Sequence, residues 1–222
     1  MAVVTISRRY GSGGDEIARR VCELLGYRYF DKELMAEVAA DMGLAEHEIW
    51  DLSEDTHEVR GFLDRLLGTP RKITQIETIP EDRPGSVVEI VANLLDEAQN
   101  IALIQSTIQA AYQAGNVVIV GRGGQAILKD QPEALHVRIE APLEARVQRL
   151  CERANYNLVG ASEAALKRDR TSADYLKRFY QVDWADPLLY DLVINTGRLG
   201  LEAAAQLIVR AAHFLPKKEL VQ

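Results

Sequence analysis

Short apolar runs alternate along the chain with longer segments in which apolar residues recur every three or four positions. The short runs are rich in β-branched residues and predict strands at 2–6, 27–30, 117–120, 136–139 and 192–194. The longer segments predict helices at 15–25, 34–42, 87–114, 142–153, 162–180 and 201–214. Alternation of strands and helices is typical of an α/β fold with a parallel sheet.

The stretch 44–86 departs from this alternation. It is polar and mixed, and Pro70, Pro80, Pro84 and Gly85 interrupt it before the long helical pattern begins at 87. We interpret it as a lobe inserted into a single domain that spans residues 1–222. A chain of 222 residues is long enough for one domain that carries such a lobe.

Composition excludes several classes of protein. The chain is 47% hydrophobic and 27% charged, as globular proteins are, which argues against disordered and fibrous proteins. The net charge of -7 argues against DNA or RNA as a partner, although a local basic pocket is compatible with it.

Two distant cysteines, Cys22 and Cys151, form no zinc motif or disulfide framework. No apolar run approaches the roughly 20 residues that span a bilayer, so we expect a cytoplasmic protein with no membrane partner.

The first candidate site is a glycine-rich loop between the first predicted strand and the first predicted helix. A helix N-terminus presents free backbone N–H groups and the positive end of the helix dipole, which suit a phosphate. The candidate phosphate-binding residues are Gly11, Ser12, Gly13, Gly14, Asp15 and Glu16. The alternative is an ordinary glycine-rich turn before a helix.

This loop differs from the standard phosphate-binding pattern G-x-x-x-x-G-K-[ST]. With Gly13 as the second glycine, Arg8 stands at the first glycine and Gly14 at the lysine, and Asp15 replaces the hydroxyl residue. The lysine that contacts the transferring phosphates and the hydroxyl that binds Mg²⁺ are therefore missing from their usual positions. Arg8 and Arg9 are the nearby cations that could replace the lysine.

Two further groups of basic residues are candidates for anion binding. Arg122 follows the predicted strand 117–120, and ligands of open α/β sheets bind at the carboxyl ends of strands. The two predicted helices after it carry Arg146, Arg149, Arg153, Lys167, Arg168, Arg170, Lys177 and Arg178. Clustered arginines in an acidic protein favour an anionic partner. The alternative for each arginine is an ion pair with a neighbouring acid on a solvated face.

Asp31 and Lys32, which follow the second predicted strand, are candidates for contacts to an acceptor. A charged helix N-terminus capped by Asp31 explains these residues equally well. Glu16 and Asp31 are the candidate carboxylates for Mg²⁺. The histidines do not have the spacing of metal ligands, and the sequence contains no recognisable Ser-His-Asp or Cys-His catalytic motif.

Taken in order, these segments resemble the cytidylate kinase-like family of P-loop kinases. The resemblance is carried by 6–21, 27–35, 117–128, 136–150, 167–180 and 184–208. It implies a three-layer α/β/α P-loop kinase-like fold with a central parallel sheet and an inserted helical lobe at about 44–86 that resembles a nucleoside monophosphate-binding lobe. It also implies an arginine-bearing lid at about 154–182.

The resemblance also implies roles for particular residues. Arg122 would hold the acceptor nucleotide as part of a Gly-Arg-Asp element, in which this chain has Gly123 in place of the Asp. Arg168, Arg170 and Arg178 would close over the phosphates as the lid. In the cytidylate kinases of the family, ATP donates its γ-phosphoryl group to CMP or dCMP in the presence of Mg²⁺.

Three hypotheses for function follow. The first is an ATP-dependent kinase that acts on a nucleoside monophosphate, such as CMP or dCMP, or on a related small acceptor. The second, which Arg8, Gly14 and Glu16 at the usual catalytic positions favour, is an inactive protein that binds a nucleotide or another anion. The third is a structural or partner-binding protein. The expected partner is a nucleotide or other phosphorylated small molecule, and a homo-oligomer is compatible with the sequence.

Overall fold

The computed structural model describes residues 2–30, 97–154 and 156–216. Several predictions fall outside these residues: the inserted lobe at 44–86, the helix at 34–42, the first part of the helix at 87–114, and the candidate residues Asp31 and Lys32. The single-domain organisation over 1–222 therefore stays a prediction.

Five parallel strands form one sheet in the order β2-β3-β1-β4-β5. They are β1 (Val3–Arg8), β2 (Arg28–Phe30), β3 (Val117–Val120), β4 (Ala134–Glu140) and β5 (Leu192–Asn195). Every predicted strand is present. β1 extends past its predicted end because Ser7 and Arg8 pair with Arg138 and Ile139 of β4. Arg8 therefore belongs to the strand end and not to the glycine loop.

Helices cover the sheet and its carboxyl edge. They are α1 (Gly14–Leu25), α2 (described from Glu97 to Ala114), α3 (Gly124–Ile127), α4 (Leu143–Ala154), α5 (Leu158–Tyr180), a 3₁₀ turn (Pro187–Leu189) and α6 (Leu201–Ala212). Most of the predicted lid segment is thus the single helix α5. It begins before the predicted start at 162 because the Asn157 side chain accepts a hydrogen bond from Gly160 N and caps it. None of the helices described here is long and apolar enough to cross a membrane.

The sheet separates two apolar cores. On one face, α1 and α6 pack against the strands through Ile17, Val21, Ala205 and Ile208, which contact Val4, Ile6, Val118, Val137 and Ile139. On the other face, α2 and α3 cover the strands, with Ile104, Ile108, Leu128, Val3, Val117 and Ile119 in the core. The predicted three-layer arrangement around a parallel sheet is therefore confirmed.

Buried polar side chains occupy one face of β1 and β4. Thr5 lies opposite His136 in the sheet, and Thr5 Oγ1 lies 2.7 Å from His136 Nδ1. His136 Nε2 lies 3.2 Å from the carbonyl oxygen of Leu128, which can only accept, so this nitrogen carries the proton and Nδ1 accepts from Thr5. Burial lowers the pKa of the His136 imidazole below its ordinary value.

The buried histidine predicts a loss of stability in acid. In the unfolded chain His136 takes up a proton near its ordinary pKa of 6.5, whereas the folded protein resists protonation to lower pH. The free energy of unfolding should therefore fall as pH drops below about 6.5 toward the folded pKa. His136→Gln retains a donor for Leu128 but does not titrate. Urea unfolding at about pH 8 and pH 5 should show a smaller acid-induced loss in the variant. An equal loss in both proteins would exclude this role for His136.

Candidate functional site

The carboxyl ends of β1, β3 and β4 lie at one edge of the sheet because the strands are parallel. The glycine loop follows β1, the turn 121–123 follows β3, and Glu140 ends β4. A small cleft, with a cavity volume of about 20 Å³, lies at this edge. Its lining residues include Ser7, Arg8, Arg122, Gln125, Tyr175 and Trp184. This is the position at which open α/β sheets bind ligands.

The glycine loop has the backbone geometry of an anion site. Gly11 and Gly13 adopt left-handed conformations, with φ of 80° and 84°, and α1 begins directly afterwards at Gly14. The first N–H groups of a helix have no acceptor within the helix, and the dipole makes this end positive. The loop thus has the backbone geometry that a phosphate site requires, and phosphate binding at residues 11–16 stays a prediction.

Ser12 fixes the shape of this loop. Its side chain is fully buried, and its carbonyl oxygen accepts hydrogen bonds from Thr196 Oγ1 at 2.7 Å and from Arg149 Nη1 at 3.2 Å. Arg149 also donates to the carbonyl oxygen of Thr196 at 2.6 Å. Arg149, one of the clustered arginines, therefore binds the backbone of the loop in this structure.

A buried carboxylate connects the loop to the arginine-rich helices. Asp169, on α5, is only 7% exposed. It accepts hydrogen bonds from Tyr10 N at 3.1 Å, Arg9 Nη1 at 3.3 Å and Arg146 Nη1 at 2.9 Å. Arg146, 2% exposed, also donates to the carbonyl oxygens of Tyr10 and Ala141. The Arg146–Asp169 ion pair thus fastens α4 and α5 to the glycine loop.

Asp169 is not among the candidate residues predicted from the sequence, and Arg146 is predicted there only as one of the clustered arginines that favour an anionic partner. The sequence does carry one signal for Asp169, because it shares a helix face with Ala161, Ala165 and Leu176, which are all buried. An acidic residue at four-residue spacing from small apolar residues indicates a buried carboxylate that needs a cation.

The two acidic residues beside the loop are paired with arginines. Arg8 Nε lies 3.1 Å from Asp15 Oδ1, and Arg153 forms an ion pair with Glu16. These pairs offset the negative charge that would otherwise repel a phosphate. Both carboxylates are partly exposed, with 46% and 40% of their side-chain surface accessible.

The donor set of the loop fits a magnesium ion that arrives with phosphates. Mg²⁺ is usually bound by one or two carboxylates, substrate phosphates and water. Asp15 and Glu16 supply two partly exposed carboxylates at the end of the loop. Within the described ranges no group of three or more His, Cys, Asp or Glu side chains could hold a metal alone.

The remaining candidate arginines have different surroundings. Arg9 Nε lies 2.7 Å from Glu140 Oε2, and its guanidinium also contacts Asp169. The guanidinium of Arg168 lies 4.1 Å from the centroid of the Tyr10 ring, beside the loop. Arg170 and Arg178 are exposed on α5 and are not among the residues that line the cleft. Arg8 and Arg122 do line it.

The turn that carries Arg122 has an unusual backbone. Gly121, Arg122 and Gly123 all have positive φ, of 72°, 55° and 74°. A left-handed conformation costs a non-glycine residue about 1 kcal/mol, and such strain is concentrated at functional sites. A Cβ atom at Gly123 would lie 2.6 Å from Cε2 of Tyr180. The Tyr180 ring therefore occupies the space next to the position where the family pattern has an Asp.

Trp184 forms a rigid wall of the cleft that the sequence analysis does not identify. Its Nε1 donates to Ser7 Oγ at 2.8 Å, and its ring lies 4.3 Å from the guanidinium of Arg138. Arg138 is 3% exposed and forms an ion pair with Glu140. Arg138, a residue of the predicted strand 136–139, thus packs against the Trp184 ring that lines the cleft.

A family model described as the cytidylate kinase-like family matches residues 3–198. The cytidylate kinase of Methanothrix thermoacetophila is 26% identical over 198 residues, which cover 88% of this chain and 89% of the relative. The cytidylate kinase of Staphylothermus marinus is 25% identical over 209 residues, 94% of each chain.

A solved structure has the same fold. An uncharacterized protein from Eubacterium ventriosum ATCC 27560 superimposes with a TM-score of 0.63. The two sequences are 20% identical, and the match covers 96% of this chain and 99% of that protein. This likeness concerns the fold alone.

Removing the charge of Asp169 should destabilise the protein. Asp169→Asn leaves the buried Arg146 guanidinium without its carboxylate, so the free energy of unfolding should fall by about 3 kcal/mol. Asp174→Asn, an exposed change on the same helix, is the matched control and should change it by less than about 0.5 kcal/mol. Urea unfolding of the three proteins measures both values. Equal effects of the two substitutions would show that the buried ion pair does not hold the site together.

Proposed function

Because the chain belongs to the cytidylate kinase-like family, we propose that it transfers the γ-phosphoryl group of ATP to a small acceptor. The acceptor is a nucleoside monophosphate, with CMP and dCMP as the first candidates, or a related phosphorylated molecule. The observation that carries this proposal is the cleft at the sheet edge, where Ser7 and Arg8 at the end of β1 lie beside the turn that carries Arg122.

The glycine loop binds the phosphates of ATP in this proposal. Gly11, Gly13 and Gly14 present backbone N–H groups together with the positive end of α1, while buried Ser12 keeps the loop in shape. Asp15 and Glu16 would hold Mg²⁺ directly or through water. When bound, this ion neutralises charge on the phosphates. The glycine conformations and the position at the helix end support this assignment.

The acceptor binds on the other side of the cleft. Arg122 contacts its phosphate, since a guanidinium can form two parallel hydrogen bonds to phosphate oxygens. Asp31 and Lys32 are proposed as further acceptor contacts on the sequence alone. Gly123 and the Tyr180 ring replace the Asp of the family pattern, so the base preference is open to test with a panel of nucleotides.

Catalysis in this proposal rests on positioning and on neutralising charge, which is what phosphoryl transfer needs from a protein. Arg8 and Arg9 at the end of β1 supply positive charge near the loop. Arg168, Arg170 and Arg178 are assigned to the lid on the family resemblance. Arg170 and Arg178, which are exposed and do not line the cleft, would have to move to reach the phosphates. The stacking of Arg168 on Tyr10 supports its place in this group.

The alternative to this reaction is a protein that binds a nucleotide without transferring its phosphoryl group. Position 14 lacks a lysine, and both carboxylates beside the loop are engaged by arginines. Turnover and dependence on Mg²⁺ distinguish the two functions, because a binding protein needs neither.

A transfer assay tests the proposed reaction. The full-length protein is mixed with ATP and each of CMP, dCMP, UMP, AMP and GMP, with and without Mg²⁺, and the nucleotides are separated. We expect formation of a nucleoside diphosphate only with Mg²⁺. ATP binding without product from any acceptor in the panel would instead support the nucleotide-binding protein.

Replacing Arg122 tests the acceptor side. Arg122→Ala should weaken acceptor binding by about tenfold or more, as expected for loss of a charged hydrogen bond. ATP binding should change by less than about twofold, since Arg122 contacts the other ligand. Titration calorimetry measures both affinities.

Arg122→Gly is the matched variant for this test. It also removes the guanidinium, but glycine adopts the left-handed conformation of this turn without strain. It should lose acceptor binding to the same extent while remaining at least as stable as the wild type. A similar loss of affinity for both ligands, or for neither, would remove Arg122 from the acceptor site.

A further inference from the structure

At two positions of the standard phosphate-binding pattern, the glycine and the basic residue have changed places in this chain. The pattern has glycine at the position of Arg8 and lysine at the position of Gly14. In the structure these two positions are in contact. A Cβ atom at position 14 would lie 2.5 Å from Cβ and 2.6 Å from Cγ of Arg8.

We propose that Arg8 takes over the role of the missing lysine, and that Gly14 is glycine because the Arg8 side chain occupies the space beside it. Arg8 is then the catalytic residue that contacts the transferring phosphoryl group. This inference rests on the proposed kinase function and deepens it, because it selects one cation from the two available at the end of β1.

The path of the Arg8 side chain supports this role. Arg8 is the last residue of β1, where it pairs with Ile139, so its backbone is held in the sheet. The side chain passes over Gly14 at the start of α1, and Nε reaches Asp15 in the first turn. It also lines the cleft together with Arg122. A cation from the strand end is therefore brought to the helix N-terminus, where the phosphates are proposed to bind.

Arg9 is placed differently. Its guanidinium lies between Glu140 and Asp169, and it does not line the cleft. Asp169 at the same time binds Arg146 and the Tyr10 backbone. Moving Arg9 to a phosphate would separate it from two carboxylates of the buried network. We therefore assign Arg9 to the scaffold of the loop.

An arginine changes the chemistry of this position compared with a lysine. Lysine presents a compact point charge, whereas the planar guanidinium can contact two phosphate oxygens at once. Asp15 orients the guanidinium through its Nε atom. The fixed orientation favours the geometry of the transferring group, in which charge is spread over the equatorial oxygens.

The exchange itself provides the test. Arg8→Gly removes the cation and should lower kcat with Mg²⁺ and ATP by about 100-fold or more. Gly14→Lys alone should also lower kcat, because its Cβ meets Arg8 and displaces it. The double variant Arg8→Gly/Gly14→Lys restores both pattern residues and the space between them. Its kcat should exceed that of either single variant by about tenfold or more.

Two further variants serve as controls. Arg8→Lys keeps the charge and should retain more activity than Arg8→Gly. Arg19→Gln removes an exposed cation from α1 away from the cleft and should leave kcat within about twofold of the wild type. Circular dichroism and urea unfolding establish that each variant is folded before its rate is compared.

The affinity for ATP with Mg²⁺, measured by calorimetry, separates failure of this inference from failure of the kinase function. If the wild type transfers no phosphoryl group, the wild type and the variants are compared by their affinity for ATP alone. Arg8→Gly should then weaken ATP binding by about tenfold, and the double variant should restore it. An active wild type with an unaffected Arg8→Gly, or a folded double variant no better than the single ones, would overturn the role of Arg8 while leaving the kinase function intact.

Discussion

The site at the carboxyl edge of the sheet depends on one buried ion pair, between Arg146 on α4 and Asp169 on α5. The carboxylate of Asp169 also accepts the backbone N–H of Tyr10. A buried charge is stable only with a complete set of partners, so this pair allows few relative positions of the two helices and the loop. The pair also holds the start of the glycine loop, since the N–H of Tyr10 is bound by Asp169 and its carbonyl oxygen by Arg146.

Two glycines stand where a reference pattern carries a longer side chain. Gly14 lies at the lysine of the standard phosphate-binding pattern, and Gly123 lies at the aspartate of the Gly-Arg-Asp element. At both positions another side chain lies within 2.6 Å of where a Cβ atom would be: Arg8 beside Gly14, and Tyr180 beside Gly123. The missing side chains have therefore not left open space. Neighbouring side chains fill both positions, so a side chain at either one requires Arg8 or Tyr180 to move.

An anion site in an acidic protein needs local charges that oppose the overall field. The chain has a net charge of -7, but the carboxylates next to the loop are each matched by an arginine, Asp15 by Arg8 and Glu16 by Arg153. Short-range pairing of this kind outweighs distant charges, which water and salt screen. The same pairing keeps two oxygen donors at the loop that suit Mg²⁺.

The sequence by itself determined the order of strands and helices, the glycine loop and the place of Arg122 at a strand end, because periodicity and turn residues are local properties. It also carried the resemblance that the family match over 3–198 confirms. Only the tertiary structure separated the arginines by role, with Arg146 buried in the scaffold and Arg8 in the cleft. Such a difference arises from contacts between distant segments, as when β1 pairs with β4 and Asp169 meets the loop. Helical spacing shows which residues share a face, but packing decides which of those faces is buried.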